Sequence, residues 1–235
     1  MYRYLLSILF LLIVSCSPLR KYQDLPEVKA WEKEIIKFEQ LDRTESYPNE
    51  AILFAGSSSI RLWSTLADDM APYSVIQRGF GGSKLSDLAV YGDRIFKPHQ
   101  CIAIVLFVAN DITGSEQDKS PREVAALFKN VLSTIRKSHP DTPVFWIEVT
   151  PTSSRWKVWP EIQQATLLIR QICESHKNTY SIRTDFAFLN ENGKPKDELF
   201  VSDKLHLNAQ GYSIWTKIIK NELTKVFASI NAQKE

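Results

Sequence analysis

Cysteine, methionine and glycine are sparse in this 235-residue chain, at 3, 2 and 8 residues. Three thiols cannot build the cross-linked framework that holds together a small, coreless secreted domain. Cys101 and Cys173 stand in apolar runs and read as buried free thiols, and no zinc-ligand spacing is present. Charge of one sign is also missing: 29 Lys and Arg against 27 Asp and Glu leave +2, with no long basic run. Without a clustered basic face there is no electrostatic footprint for nucleic acid. Neither the phosphate-loop spacing nor Gly-x-Gly-x-x-Gly occurs, so the sequence calls for no nucleotide cofactor, and the expectation is that no cofactor or metal is used.

A membrane-spanning run is lacking too. The apolar stretch over residues 4 to 14, preceded by Arg3, falls short of the about 20 residues needed to cross a bilayer and reads as a targeting signal. Its end, Ile13-Val14-Ser15-Cys16, resembles the lipobox of bacterial lipoproteins, in which cleavage before the cysteine leaves Cys16 lipidated. The division that follows is a lipoprotein signal peptide over 1–15, a lipid-anchored linker over 16–25 and one domain over 26–235. The expected location is the bacterial cell envelope, with the membrane as a partner through the Cys16 lipid. A diacylglycerol and an amide-linked chain together satisfy the need for two anchoring signals. The plainer alternative is an ordinary secretory signal with an incidental cysteine.

What is present is an alternation of short apolar runs and amphipathic patterns. Runs at 51 to 55, 73 to 77, 101 to 108, 143 to 149 and 180 to 183 read as strands covered on both faces. Helical periodicity marks 26 to 44, where Val28, Trp31, Ile35, Phe38 and Leu41 share a face, and also 121 to 138, 159 to 175 and 208 to 228. The order predicts an α/β fold: a three-layer α/β/α sandwich around a parallel sheet with right-handed crossovers. Ligands in such sheets sit beyond the C-terminal strand ends.

The residues with chemical capacity fall at those ends. Asp203 stands three positions before His206, so within one tight turn the carboxylate can accept the imidazole N–H and leave the other ring nitrogen free as a base. Gly56-Ser57-Ser58-Ser59 follows the first strand and either presents a nucleophilic hydroxyl or merely caps a helix. Gly79-Phe80-Gly81-Gly82 follows the second strand, where backbone amides can approach a ligand or simply make a turn. Asn110 follows the third and can aim its amide at a developing oxyanion. Arg155, Trp156 and Trp159 follow the fourth and offer a cation and an aromatic wall for a substrate pocket, or pack the next helix onto the sheet. His99, His139 and His176 read as solvated or capping groups.

Taken in order, these segments resemble the SGNH hydrolases, also called the GDSL esterase/lipase family, in its platelet-activating-factor-acetylhydrolase-like branch. The resemblance runs from about residue 51 to about residue 220. Gly56-Ser57-Ser58 matches the Gly-Asp-Ser block, Gly82 the second-block glycine, Val108-Ala109-Asn110-Asp111 the Gly-x-Asn-Asp block, and Asp203-Lys204-Leu205-His206 the Asp-x-x-His block. The resemblance implies a flavodoxin-like five-stranded parallel sheet of order 2-1-3-4-5 and metal-free ester hydrolysis. It implies Ser58, His206 and Asp203 as catalytic triad and Ser58, Gly82 and Asn110 as oxyanion hole. Ser57 replaces the usual Asp and Val108 the usual Gly, the latter expected to narrow access. The expected substrate is a small ester, above all a short-acyl ester of an acetylated glycan. The alternatives are a lipid-type acyl esterase, or a non-catalytic surface lipoprotein that binds glycan or protein.

Overall fold

A computed structural model describes residues 19–232. The expected signal peptide and Cys16 lie outside the described residues. Residues 19–25, expected as linker, begin with a helical turn, α1 (Arg20–Gln23), whose Tyr22 is buried and donates a hydrogen bond to Glu123. The chain continues through α2 (Pro26–Lys29), α3 (Glu32–Thr44), β1 (Ile52–Gly56), α4 (Ser58–Arg61), α5 (Leu66–Met70), β2 (Val75–Gly79) and α6 (Leu85–Phe96). It then runs through β3 (Ala103–Phe107), α7 (Pro121–Ser138), β4 (Val144–Ile147), α8 (Trp159–Ser175), β5 (Thr179–Ile182), α9 (Asp185–Phe188) and α10 (Ala209–Ala232).

The five strands form one parallel sheet of order β2-β1-β3-β4-β5, as expected. Burial explains why the strands lack polar alternation, because successive residues point into two separate cores. Leu53, Ala55, Ile104, Leu106, Val144 and Trp146 face α1–α3, α6, α7 and α8. Ile52, Phe54, Ala103, Val105, Phe145 and Ile147 face α4, α5, α9 and α10. With β1 paired to β2 on one side and β3 on the other, chain direction across the sheet reverses beside β1, where the β1 and β3 ends open the crevice in which such folds bind ligands.

The helix expected over 26 to 44 breaks at Ala30-Trp31 into α2 and α3. At the break Trp31 N–H bonds back to Val28 O, which also accepts Tyr91 Oη–H at 3.2 Å, and the Trp31 ring packs edge-on against Phe80 at 5.4 Å. Tertiary contacts thus override the local period. Helix α6 is an element the sequence reading does not include, although Leu85, Leu88, Ala89, Ile95 and Phe96 share its buried face; at Gly92 α6 and α7 touch so closely that a Cβ would come within 2.9 Å of Thr134 Cγ2. His99 is buried where a solvated or capping group was expected. His139, also buried, does stand at the C-cap of α7, its N–H donating to Ile135 O at 2.8 Å and its Nε2 meeting His99 O at 2.9 Å, and His176 caps α8 through Nδ1 to Ile172 O at 2.7 Å. Cys173 is buried, Cys101 is partly so, both are free, and burial pushes both thiols up to about 12.

Candidate active site

Strand β1 delivers its chain into the crevice through a turn that only glycine permits. Gly56 has φ +144°, and a Cβ there would lie 1.9 Å from Phe107 O on the neighbouring strand. Ser57 N–H donates to that same carbonyl at 2.9 Å, so the end of β1 stays tied to the end of β3. Ser57 then stands at the N-cap of α4 with no side-chain cap bond, which removes the capping reading for it. Ser58, the first residue of α4, turns its hydroxyl toward the loop before α10. The gap between them is closed by a hydrogen bond of 2.8 Å between Ser58 Oγ and His206 Nε2.

The loop that carries His206 is set by Asp203. Asp203 Oδ1 accepts the N–H groups of Leu205 and His206, each at 2.9 Å, and Oδ2 meets His206 Nδ1 at 2.6 Å. One carboxylate therefore both folds the turn and aims the ring. Partial burial pushes the Asp203 pKa up, but the bonds from the His206 ring and from the two amides outweigh it and hold the group below the ordinary carboxylate value. An ionised carboxylate can only accept, so Nδ1 carries the ring proton and Nε2 is the bare nitrogen facing Ser58. Lys204, between them, adopts φ +53°, an uncommon conformation for a residue with a side chain. Asn208 secures the helix that follows by accepting from Gln210 N at 2.9 Å and Gly211 N at 3.1 Å.

Asn110 leaves the end of β3 beside them. Its Nδ2 donates to Ser83 O at 3.0 Å, keeping one proton unspent, and its Oδ1 accepts from Arg155 Nη2 at 2.5 Å. Among the described residues the backbone N–H groups of Ser58 and Gly82 make no hydrogen bond to protein acceptors. Ser58, Gly82 and Asn110 line one cleft, so their three donors are available to a ligand there. Asp111, next in sequence, is buried, accepts from Leu85 N at 2.9 Å and pairs with Lys119 at 3.0 Å, which joins the β3 end to α6.

The three residues after β4 divide between the readings left open by the sequence, and Val108 departs from its expected effect. Arg155 is 8% exposed and lines the inner cavity, with its guanidinium donating to Ala109 O and Asn110 Oδ1. Burial lowers its pKa, with Asp118 and Asp111 opposing. Trp156 and Trp159 are stacked on each other, 5.9 Å apart and 14° from parallel, and pack against the α7–α8 core instead of walling the site. Val108 is 2% exposed and points into that same core beside Val124, Trp146 and Ile169, so it leaves access to Ser58 unchanged.

Ser58 and His206 stand between two unequal cavities. The inner one, floored by Phe107, Val149, Thr152, Phe200, Leu207 and Trp215, measures about 20 Å³. The outer one, bounded by Trp31, Glu34, Arg61, Gly81 and Gly82, is an open cleft of about 480 Å³. Trp31, Glu34 and Arg61 were not foreseen, since their place at the rim follows from how the first helices dock. Among the described residues no group of three or more His, Cys, Asp or Glu side chains converges as a metal site would require.

A doubly wound sheet with a hydroxyl, an imidazole and a carboxylate in hydrogen-bonded series at its C-terminal rim brings together groups suited to acyl transfer. Residues 44–214 match the GDSL-like Lipase/Acylhydrolase family, and the chain belongs to that family of ester hydrolases. Similar solved structures share the fold at low identity. One, from Streptococcus pneumonia and described as a platelet activating factor, has TM-score 0.72 and 18% identity over 83% of this chain and 94% of its own. A GDSL-like lipase from Bacteroides thetaiotaomicron has TM-score 0.69 and 13% identity over 82% of this chain and 98% of its own. A carbohydrate esterase family 3 protein from Talaromyces cellulolyticus has TM-score 0.58 and 13% identity over 77% and 99%. No curated protein matches the chain.

Proposed function

We propose that this protein removes short acyl groups, acetyl above all, from a carbohydrate, with Ser58 as nucleophile, His206 as general base and Asp203 as the group that orients it. The observation that carries the reading is the unbroken series Asp203 Oδ2, His206 Nδ1, His206 Nε2, Ser58 Oγ, with contacts of 2.6 and 2.8 Å. His206 Nε2 takes the hydroxyl proton as Ser58 Oγ bonds to the ester carbon. The carbonyl oxygen, now negative, is held by the N–H groups of Ser58 and Gly82 and by Asn110 Nδ2, an arrangement that in other enzymes is worth about 3 kcal/mol per donor. His206 returns the proton to the leaving alcohol, and a water activated by the same nitrogen then releases the acyl group.

The inner cavity supports the short acyl chain. About 20 Å³ is little more than the 10–15 Å³ at which a cavity first holds one water, so a methyl group fits and a fatty chain does not. Lipid on Cys16 would hold the enzyme at the cell envelope, beside surface glycans; a Cys16→Ser chain released from the membrane fraction supports this anchor.

The decisive experiment is labelling with a fluorophosphonate, followed by mass spectrometry of the adduct, together with turnover of p-nitrophenyl acetate. An adduct on Ser58, and a drop of at least a thousandfold for Ser58→Ala, are expected. A parent chain that takes no label and hydrolyses no ester would refute the assignment and favour a surface binding protein instead.

A further inference from the structure

Two side chains on the rim of the outer cleft, Trp31 and Glu34, come from a part of the chain that precedes the family-matched residues 44–214. That segment is firmly docked. Arg94 on α6 pairs with Glu32 at 2.8 Å and with Glu39 at 2.7 Å, and Arg78, 2% exposed, pairs with Asp42. Phe80 fixes the Trp31 ring edge-on, and the far edge of the indole reaches the oxyanion loop. A Cβ placed on Gly82 would be 3.8 Å from Trp31 Cζ2 and 3.9 Å from Cη2.

Arg61 lines the same cleft. It is exposed, makes no ion pair among the described residues, and lies so close over Gly81 that a Cβ there would be 2.7 Å from its Nε. Glu34 gives one oxygen to Lys37 at 2.9 Å, while its other oxygen has no partner among the described residues. An indole, a guanidinium and a carboxylate oxygen around one open cleft form the kind of surface on which a polyhydroxylated ring binds. Ring C–H groups cover the indole, hydroxyls donate to the carboxylate and accept from the guanidinium.

We infer that the outer cleft is the leaving-group subsite and that it holds a sugar ring, contacted by Trp31, Glu34 and Arg61. The inference rests on the proposed esterase reading of Ser58, with the acyl group in the inner cavity and the alcohol in the outer one. The segment before residue 44 then acts as a specificity element laid across a family domain. A glycerophosphocholine is the competing occupant: its phosphate would suit Arg61 and its quaternary ammonium Trp31 and Glu34, so the choice of ester must separate it from a sugar.

The test compares three acetyl esters that differ only in the alcohol: p-nitrophenyl acetate, an acetylated xylo-oligosaccharide and a 2-acetyl glycerophosphocholine. In Trp31→Ala, Glu34→Gln and Arg61→Met, kcat/KM for the oligosaccharide should fall at least tenfold further than for p-nitrophenyl acetate, mostly through KM, and Trp31→Phe should recover most of the loss. Calorimetry with Ser58→Ala protein gives a second readout, in which adding Trp31→Ala should weaken oligosaccharide binding tenfold or more. Equal losses on the first two esters, or a parent that hydrolyses p-nitrophenyl acetate but not the oligosaccharide, would overturn the sugar subsite and leave the esterase standing. A selective loss on the glycerophosphocholine would replace sugar by lipid. A parent inert toward p-nitrophenyl acetate would instead strike the esterase reading itself.

Discussion

Arg155 Nη2 donates to Asn110 Oδ1 at 2.5 Å, and that bond decides which end of the Asn110 amide faces Ser58. With Oδ1 committed to a cation, Nδ2 is the end left for a developing oxyanion. The same guanidinium binds Ala109 O, so one buried side chain holds both the backbone and the amide of the β3 terminus.

Arg155→Met should therefore lower kcat for p-nitrophenyl acetate by about 10- to 100-fold with little change in KM, since it loosens a transition-state donor. It also strands Ala109 O and should cost about 1–3 kcal/mol of stability. Steady-state kinetics and urea unfolding separate the two effects. If Arg155 acts through Asn110, the loss in Arg155→Met/Asn110→Ala should be well short of the product of the single losses.

Asp203 has two duties that substitutions can part. Asp203→Asn keeps an oxygen for the Leu205 and His206 amides but favours the wrong ring tautomer, so kcat should fall by about 10⁴ with little change in Tm. Asp203→Ala loses the turn as well and should unfold more easily by about 1–2 kcal/mol. Because its folded pKa is depressed, the stabilising effect of Asp203 is present above the ordinary carboxylate value and disappears as pH falls through the folded one.

Acyl length should matter steeply. From p-nitrophenyl acetate to the octanoate kcat/KM should fall at least a hundredfold, and Val149→Ala, which removes two methyl carbons from the floor of the inner cavity, should raise the butyrate-to-acetate ratio several-fold.

Asp87 gives a pH signature unrelated to catalysis. It is buried beneath the start of α6; burial, with Asp111 nearby, raises its pKa from 3.8 to about 6 against the bond from Lys84 N and the charges of Lys119 and Lys84. The folded state thus binds the proton more tightly than the unfolded one. Its contribution to stability is intact below pH 4 and is lost as pH rises through about 6. At 1.36 kcal/mol for each pH unit between those values, the loss is about 3 kcal/mol. Asp87→Asn should gain on the parent in urea midpoint between pH 4 and pH 7; a constant difference would disprove the assignment.

Much of this architecture is legible in the sequence, for local reasons. Apolar runs covered on both faces reveal the strands, and the i, i+3 pair Asp203 and His206 reports its own geometry because both sit in one turn. Arg155 does line the inner cavity, but nothing local in the sequence shows that its guanidinium is spent on Ala109 and Asn110. Its burial depends on the open end of β3, some forty-five positions away. The helical period places Trp31 on an apolar face, but its approach to Gly82 depends on Arg78 and Arg94 pairing with the acidic side chains of α3. Trp156 and Trp159 left two readings open, and their mutual stacking settled which one the fold adopts.

Ser58 and His206 are 148 positions apart in the chain, and Tyr212 Oη, reaching Ser59 O at 2.9 Å, clamps the last helix onto the first turn after β1. Under the proposed mechanism, turnover is consequently a signal that α10 has docked. A nascent polypeptide halted before α10, or a refolding population in which that helix has not yet closed on the sheet, would cleave nothing, so the activity regained after dilution from urea times the final assembly step.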